Sequence, residues 1–167
     1  SARPDDFHAA NGQCSMSARA GYVVFGDSIS GNCHKVRWTL DLLALDYEWR
    51  ETSVLEGATR RDAFLKINPA GQAPAIVTPE GAPLAQSNAI ILYLAERHGG
   101  GLIPHDALAR ARMYEWLFWE QYSHEPYIAV RRFQKRFLNK ADADIDPKLL
   151  ARGEAALALM QQRLAIS

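Results

Sequence analysis

The segment Ser30-Gly31-Asn32-Cys33, near the start of the first predicted helix, carries a hydroxyl and a thiol that could stabilise or form a thiolate. Residues 27–32 are predicted to form a loop and residues 33–45 a helix, whose free N–H groups and positive dipole end favour an anion. A hydroxyl there can donate a hydrogen bond to a bound thiolate, or it can simply cap the helix. Ser30 stands where redox proteins of this pattern have the nucleophilic cysteine, which disfavours thiol–disulfide exchange. Cys33 is either an activated thiol or a small buried helix residue, and we favour the second interpretation.

A second segment, Gly71-Gln72-Ala73-Pro74, comes just before the third predicted strand. The Ala73–Pro74 bond can be cis, because proline lowers the cost of the cis form to under about 1 kcal/mol. A cis proline at this point would turn the backbone groups of Ala73 outward, where an extended peptide ligand can pair with them. An ordinary trans turn is the alternative.

A third segment, Gln86-Ser87, begins the third predicted helix. Ser87 is predicted to be the N-cap of that helix. The same helix end can bind a carboxylate, and the adjacent Gln86 side chain can accept a hydrogen bond from an ammonium group.

The elements that position these segments follow from hydrophobic periodicity and turn residues. Strands are predicted at residues 22–25, 47–52, 75–77 and 83–85, and helices at 33–45, 60–66 and 87–97. This order predicts a thioredoxin-like α/β sheet with a right-handed crossover between its first two strands. The predicted divisions are a disordered tail at 1–20, a thioredoxin-like domain at 21–98, a linker at 99–105 and a helical domain at 106–167. Helices in the last division are expected at 106–124, at 127–138 and from Pro147 to the end.

Composition excludes several classes of function. The 167 residues carry no formal net charge, so the basic excess typical of nucleic-acid binding is missing. No apolar run approaches the roughly 20 residues of a membrane span. Two isolated cysteines, Cys14 and Cys33, indicate free thiols in a reducing compartment, and no metal-ligand spacing is present. The first 20 residues do not have the pattern of a signal peptide, so a cytoplasmic location without membrane or nucleic-acid partners is expected.

Several runs resemble the glutathione transferase family when they are taken in order. Residues 68–74 and 84–90, followed by Tyr93-Leu94, resemble its glutathione-site signature, and residues 30–37 resemble the active-site loop of its bacterial serine-type members. Residues 116–132, which include His124-Glu125-Pro126, also resemble bacterial members. The likeness extends from Tyr22 to the C-terminus. It implies an α/β thioredoxin-like domain followed by an all-α domain, in a truncated glutathione transferase architecture.

The resemblance also implies roles for individual residues, with glutathione as co-substrate and no metal. Ser30 would hydrogen-bond the glutathione sulfur, with Asn32 and Cys33 beside it. The glutathione-binding set would be Gln72 at the glycyl carboxylate, the Ala73 backbone before a cis Pro74 at the cysteinyl part, and Gln86 and Ser87 at the γ-glutamyl end. Aromatic residues of the helical domain, Tyr114, Trp116 and Tyr122, would either line the electrophile site or belong to the core.

The activity implied is transfer of glutathione to a small electrophile, as in detoxification, by a homodimer. Isomerase, dehalogenase and peroxidase reactions use the same thiolate and remain open. One alternative is a non-catalytic binding or assembly module of this family, and another is a glutathione-dependent thiol oxidoreductase using Cys33. The helical part is shorter than is usual for the family, so Leu157, Leu159 and Leu164 would need cover, for which the two-fold dimer is a source.

A basic cluster lies in the second predicted helix of the helical domain. We expect either a solvated face or contact with the acidic loop at residues 142–146. Its members are Arg131, Arg132, Lys135 and Arg136.

Overall fold

The computed structural model describes residues 21–166. Its four strands are β1 (Tyr22–Gly26), β2 (Tyr47–Glu51), β3 (Ala75–Val77) and β4 (Pro83–Ala85). They form one sheet in the order β2-β1-β3-β4. β1 and β2 are parallel, whereas β3 is antiparallel to both β1 and β4. The thioredoxin-like α/β arrangement predicted from the sequence is confirmed.

The core of this sheet forms between the strands and two helices, α1 (Gly31–Leu42) and α3 (Ser87–His98). Alternate residues of β1 point into it, and each helix contributes apolar side chains four residues apart, which lie on one face. A short helix, α2 (Asp62–Leu65), follows a 3₁₀ turn at Ala58–Arg60. The fully buried apolar side chains of the cluster are Val24, Val36, Leu40, Ile76, Ile90 and Leu94.

Helix α1 begins two residues earlier than predicted, because Ser30 is its N-cap. The Ser30 Oγ accepts a hydrogen bond from the Cys33 backbone N–H at 3.4 Å. Asn32 and Cys33 are therefore first-turn helical residues. The helix ends at Leu42 rather than at residue 45, and Ala44 has a positive φ of 51°.

The prediction that Ser87 caps α3 is wrong. Gln86 occupies the cap position, with a positive φ of 71° and no capping bond from its side chain, and Ser87 is the first helical residue. The Ser87 Oγ instead donates to the Asn32 Oδ1 at 3.2 Å. A contact with α1 thus replaces the local bond that the sequence predicted.

The chain after α3 is helical, as predicted, with α4 (Ala107–Trp119), α5 (Glu125–Arg136) and α6 (Pro147–Leu164). Asp106 and Asp146 cap α4 and α6 through backbone N–H groups at 2.8 and 2.9 Å. Pro126 lies in the first turn of α5 and does not separate two helices. A π-helical turn, Glu120–His124, joins α4 to α5, and such turns are frequent at functional sites.

Contact between the basic cluster and the acidic loop is confirmed. The Arg131 guanidinium and the Lys135 ammonium reach Asp142 at 2.8 and 2.7 Å. Within residues 21–166, no helix has both the length and the apolar composition that crossing a membrane requires. The tail predicted at residues 1–20, with Cys14, lies outside the described residues.

Candidate functional site

The start of α1 brings Ser30 and Asn32 to the edge of a polar cavity, but it turns Cys33 inward. Cys33 has no exposed surface, and its Sγ accepts from the Asp27 backbone N–H at 3.3 Å. Burial raises the pKa of the Cys33 thiol, which outweighs the opposing hydrogen bonds from Ser30 and Asp27. Cys33 is therefore a small buried residue of α1, as favoured from the sequence.

The carboxamide of Asn32 joins the sheet region to the helical region. Its Oδ1 accepts from Gln121 Nε2 at 2.7 Å and from the Ser87 Oγ. Its Nδ2 donates to the Glu125 Oε1 at 3.3 Å. Asn32 thus fixes the start of α1 against α3, against the π-helical turn and against α5.

A second polar connection lies next to it. The Lys35 ammonium donates to the Glu120 carboxylate at 2.7 Å and to the Asn88 Oδ1 at 3.0 Å. Asn88 donates in turn to the Leu117 carbonyl at 2.9 Å. The π-helical turn therefore supplies Glu120 and Gln121 to adjacent contacts with the sheet region.

The polar cavity has a volume of about 420 Å³. It brings together all the predicted site residues except Cys33, although they come from three segments of sequence. These residues are Ser30, Asn32, Gln72, Ala73, Pro74, Gln86 and Ser87. The lining residues to which sequence reasoning gave no site role include Thr59, Arg60, Gln121 and Glu125, because they reach the cavity through tertiary packing. Asn68 also lines the cavity, and it begins the run at residues 68–74 that resembles the family signature.

The loop before β3 presents its backbone to this cavity. The Ala73–Pro74 peptide bond is cis, and the Ala73 backbone N–H and C=O have no hydrogen-bond partner within residues 21–166. The Asn68 Nδ2 holds the loop by donating to the Gln72 carbonyl at 2.6 Å. Gly71 has a φ of +63°, a conformation that L side chains rarely adopt, and a Cβ there would also lie 3.2 Å from the Thr59 carbonyl oxygen, so this turn favours glycine.

A second, mainly apolar cavity of about 640 Å³ adjoins the first. Ser30, Asn32 and Glu125 line both cavities. The expected aromatic wall residues are not in the second cavity: Tyr122 is 82% exposed, and Trp116 lines a different groove beside Met113. The apolar walls come instead from Ile29, Val54, Ile128, Ala129, Val130, Phe133 and Phe137. Four-residue spacing of Phe133 and Phe137 is the sequence signal that could have identified this face.

Glu125 lies between the two cavities and is half-buried. Burial raises the pKa of its carboxyl, and the nearby Glu120 carboxylate adds to the effect, while Lys35 opposes it. Among residues 21–166, no group of His, Cys, Asp and Glu side chains could hold a metal ion.

Comparisons with known proteins agree with this geometry. A family model described as the glutathione S-transferase N-terminal domain matches residues 29–97. A crystal structure of a glutathione S-transferase from Xanthobacter autotrophicus Py2 is 44% identical, with a TM-score of 0.80 over 87% of this chain and 71% of that one. One from Pseudomonas fluorescens is 40% identical, with a TM-score of 0.83 over 89% and 74%. The disulfide-bond oxidoreductase YfcG of Escherichia coli is 38% identical over 95 residues, which is 53% of this chain and 44% of that protein. The chain therefore spans less than half the length of this curated relative.

Proposed function

This chain belongs to the glutathione S-transferase family, and we propose that it binds reduced glutathione in the polar cavity, stabilises its thiolate and transfers it to a small electrophile. One observation carries the proposal. A hydroxyl at a helix start, the backbone groups of Ala73 without partners, and the start of α3 all face one cavity. Each group suits a different part of a tripeptide thiol.

The γ-glutamyl end is assigned to Gln86 and Ser87. Helix α3 has 12 residues, and the free N–H groups of its first turn favour a carboxylate. Gln86 is exposed and its side chain makes no capping bond, so its amide is available to the ligand.

The cysteinyl and glycyl parts are assigned to the loop before β3. The Ala73 N–H and C=O can pair with an extended backbone as a short added strand. Gln72 lies beside them, and the Arg60 guanidinium in the same cavity adds a positive charge suited to the glycyl carboxylate.

The sulfur is assigned to Ser30. As the cap of α1, the Ser30 oxygen accepts from the Cys33 N–H, and its O–H can rotate to donate to a thiolate in the polar cavity. The capping and catalytic interpretations of Ser30 are therefore compatible. Lowering a thiol pKa by one to two units requires about 1.4 to 3 kcal/mol, which a hydrogen bond to a charged group can supply.

The apolar cavity would hold the electrophile, because it meets the polar cavity at Ser30. In the reaction, the thiol proton passes to solvent, and the sulfur forms a bond to the electrophilic carbon. A leaving group then departs with its bonding pair. No covalent enzyme intermediate is required.

Burial of Cys33 argues against a thiol oxidoreductase that uses this residue, because its thiol does not line either cavity and its pKa is raised. The same features leave Ser30 as the candidate catalytic side chain of the polar cavity.

Isothermal titration with reduced glutathione tests the proposal. We expect micromolar to millimolar binding by the wild type and at least severalfold weaker binding by Ser87→Ala. Thr39→Ala is the matched control, because its hydroxyl bonds only the Lys35 carbonyl of its own helix. A folded wild-type protein that does not bind glutathione would overturn the proposal and favour the non-catalytic module. Binding without turnover of any electrophile would overturn the transferase part alone.

A further inference from the structure

Among the described residues that line the apolar cavity beside Ser30, one charged side chain is exposed. Arg132 lines this cavity and is exposed. Its Nη1 donates to the Ile29 carbonyl at 3.0 Å, and its guanidinium carbon lies 5.3 Å from the centre of the Phe137 ring. These contacts hold the guanidinium against the cavity and leave other N–H groups available, since the group has five.

Arg132 differs from Arg131 and Lys135 of the same helix in having no carboxylate partner among residues 21–166. Arg136 has no such partner among these residues either, but it lies outside the cavity lining. Arg131 and Lys135 are paired with Asp142, on the side of α5 that packs near the acidic loop. Lys35, the other permanent cation of the cavity lining, is paired with Glu120. Among the described residues of this lining, Arg132 is therefore the permanent cation that an incoming anion could still pair with.

The acidic groups of the lining do not cancel this charge. Asp27 is buried and accepts hydrogen bonds from the Ile29 and Val54 backbone N–H groups at 3.0 and 2.8 Å. Glu120 is paired with Lys35, and Glu125, which lines both cavities, accepts a hydrogen bond from the Asn32 Nδ2. The cavity therefore combines apolar walls with a guanidinium at its mouth.

We propose that the preferred electrophile is an apolar, ring-sized molecule carrying a carboxylate, which Arg132 pairs with at the mouth of this cavity. The inference rests on the proposed glutathione transfer. The reacting carbon would face the sulfur near Ser30, with the ring between Ile128 and Phe133 and the carboxylate outward. For an aryl halide, the sulfur–carbon bond forms, the carbon–halogen bond breaks, and halide leaves with the bonding pair. Arg132 is a specificity residue and takes no part in bond making.

The test uses two glutathione conjugates that differ only in the group proposed to matter. Both carry a dinitrophenyl ring on sulfur with the two nitro groups ortho to the sulfur. One of them has an additional carboxylate para to the sulfur. Their affinities are measured by isothermal titration, so the comparison does not depend on turnover. Since exposed ion pairs contribute up to about 1 kcal/mol, the wild type should bind the carboxylated conjugate about fivefold more tightly.

Three variants separate charge from structure. In Arg132→Gln, the ratio of the affinities for the carboxylated and the neutral conjugate should fall to about one, while the affinity for the neutral conjugate stays unchanged. Arg132→Lys keeps the charge and should keep most of the preference. Arg136→Gln removes a charge from the same helix outside the cavity and should keep all of it. Equal weakening of both conjugates in Arg132→Gln would mean that Arg132 acts only through the Ile29 carbonyl, and it would overturn the inference.

Glutathione itself is titrated in parallel. If glutathione binds but the wild type shows no preference, or if Arg132→Gln retains the preference, the inference is overturned and the proposed function stands. If folded wild-type protein does not bind glutathione, the proposed function fails and the inference fails with it.

Discussion

The sheet region at residues 21–98 and the helical region at residues 107–164 contribute to the same two cavities, but they are built differently. The sheet region has a core of fully buried apolar side chains, as Leu40 and Ile90 illustrate at 0% exposure. In the helical region, α4 and α5 have no buried residue at all. Phe118 there is 72% exposed and Leu157 is 53% exposed.

This contrast shows that the two regions position their site residues by different means. In the sheet region, a packed core fixes the ends of strands and helices, and the site uses backbone groups and short side chains at those ends. In the helical region, Gln121 and Glu125 are fixed mainly by polar contacts with Asn32. Mutations should therefore act through stability in the first region and through specific contacts in the second.

The largest expected effect is on the core of the sheet region. Ile90→Ala should lower the free energy of unfolding by about 2 to 5 kcal/mol, because it removes buried surface and leaves a cavity. Leu157→Ala, in the helical region, should change it by less than about 0.5 kcal/mol. Urea denaturation followed by circular dichroism measures both. Equal effects of the two substitutions would contradict the contrast between the regions.

The next effect concerns the thiolate. If Ser30→Ala removes the hydrogen bond to the glutathione sulfur, the pKa of bound glutathione should rise by about one to two units, toward the free value of about 8.5. Ultraviolet absorbance of the thiolate across a pH titration gives this value, and glutathione affinity at low pH should be nearly unchanged. Cys33→Ala should not shift the thiolate titration, because Cys33 lies outside the polar cavity. A shift with Cys33→Ala but not with Ser30→Ala would reverse the assignment.

A smaller effect tests the contact between the regions. Asn32→Ala and Gln121→Ala should each destabilise the protein, and their double-mutant cycle should give a coupling energy of about 0.5 to 1.5 kcal/mol, since the two side chains share a hydrogen bond of 2.7 Å. A second double-mutant cycle, of Asn32→Ala with Leu157→Ala, serves as the uncoupled control, because the Leu157 side chain is exposed. A coupling energy near zero would mean that Asn32 does not join the two regions.

The smallest effect is pH-dependent. Burial raises the pKa of Glu125 in the folded protein, so the stability linked to its protonated form is present at low pH and is lost as pH rises through the folded pKa. Glu125→Gln should therefore gain stability relative to the wild type as pH increases from about 4 to 7. Asp142 has the opposite sign, because its hydrogen bond with Lys135 lowers its pKa, so its stabilising effect is lost as pH falls below about 4. Asp142→Asn should therefore lose less stability than the wild type as pH falls from about 5 to 3. Denaturation midpoints of the wild type and of both variants, measured at several pH values, give the pH dependence of their stability and check both predictions.

Local sequence patterns were sufficient for the elements of the fold. The apolar run of β1, the helical spacing of apolar residues in α1 and the turn residues between elements predicted their elements to within a few residues. Two short motifs, at residues 71–74 and 86–87, predicted part of the polar cavity lining, because each motif is a continuous segment whose residues all line the cavity. The Ser87 cap was predicted wrongly, since a distant acceptor on Asn32 competes for its hydroxyl.

By itself, the sequence determined the order of strands and helices, the family resemblance and most of the polar cavity, because propensity, capping and short motifs depend on neighbours in the chain. Only the tertiary structure decided that Gln121 and Glu125 meet Asn32, and that Phe133 and Arg132 form the second cavity in place of Tyr122. These outcomes depend on how α4 and α5 pack against α1. The residues concerned lie about 90 positions or more from Asn32 in the chain, with side-chain hydrogen bonds spanning separations of 89 and 93 residues, and no periodicity relates positions that far apart.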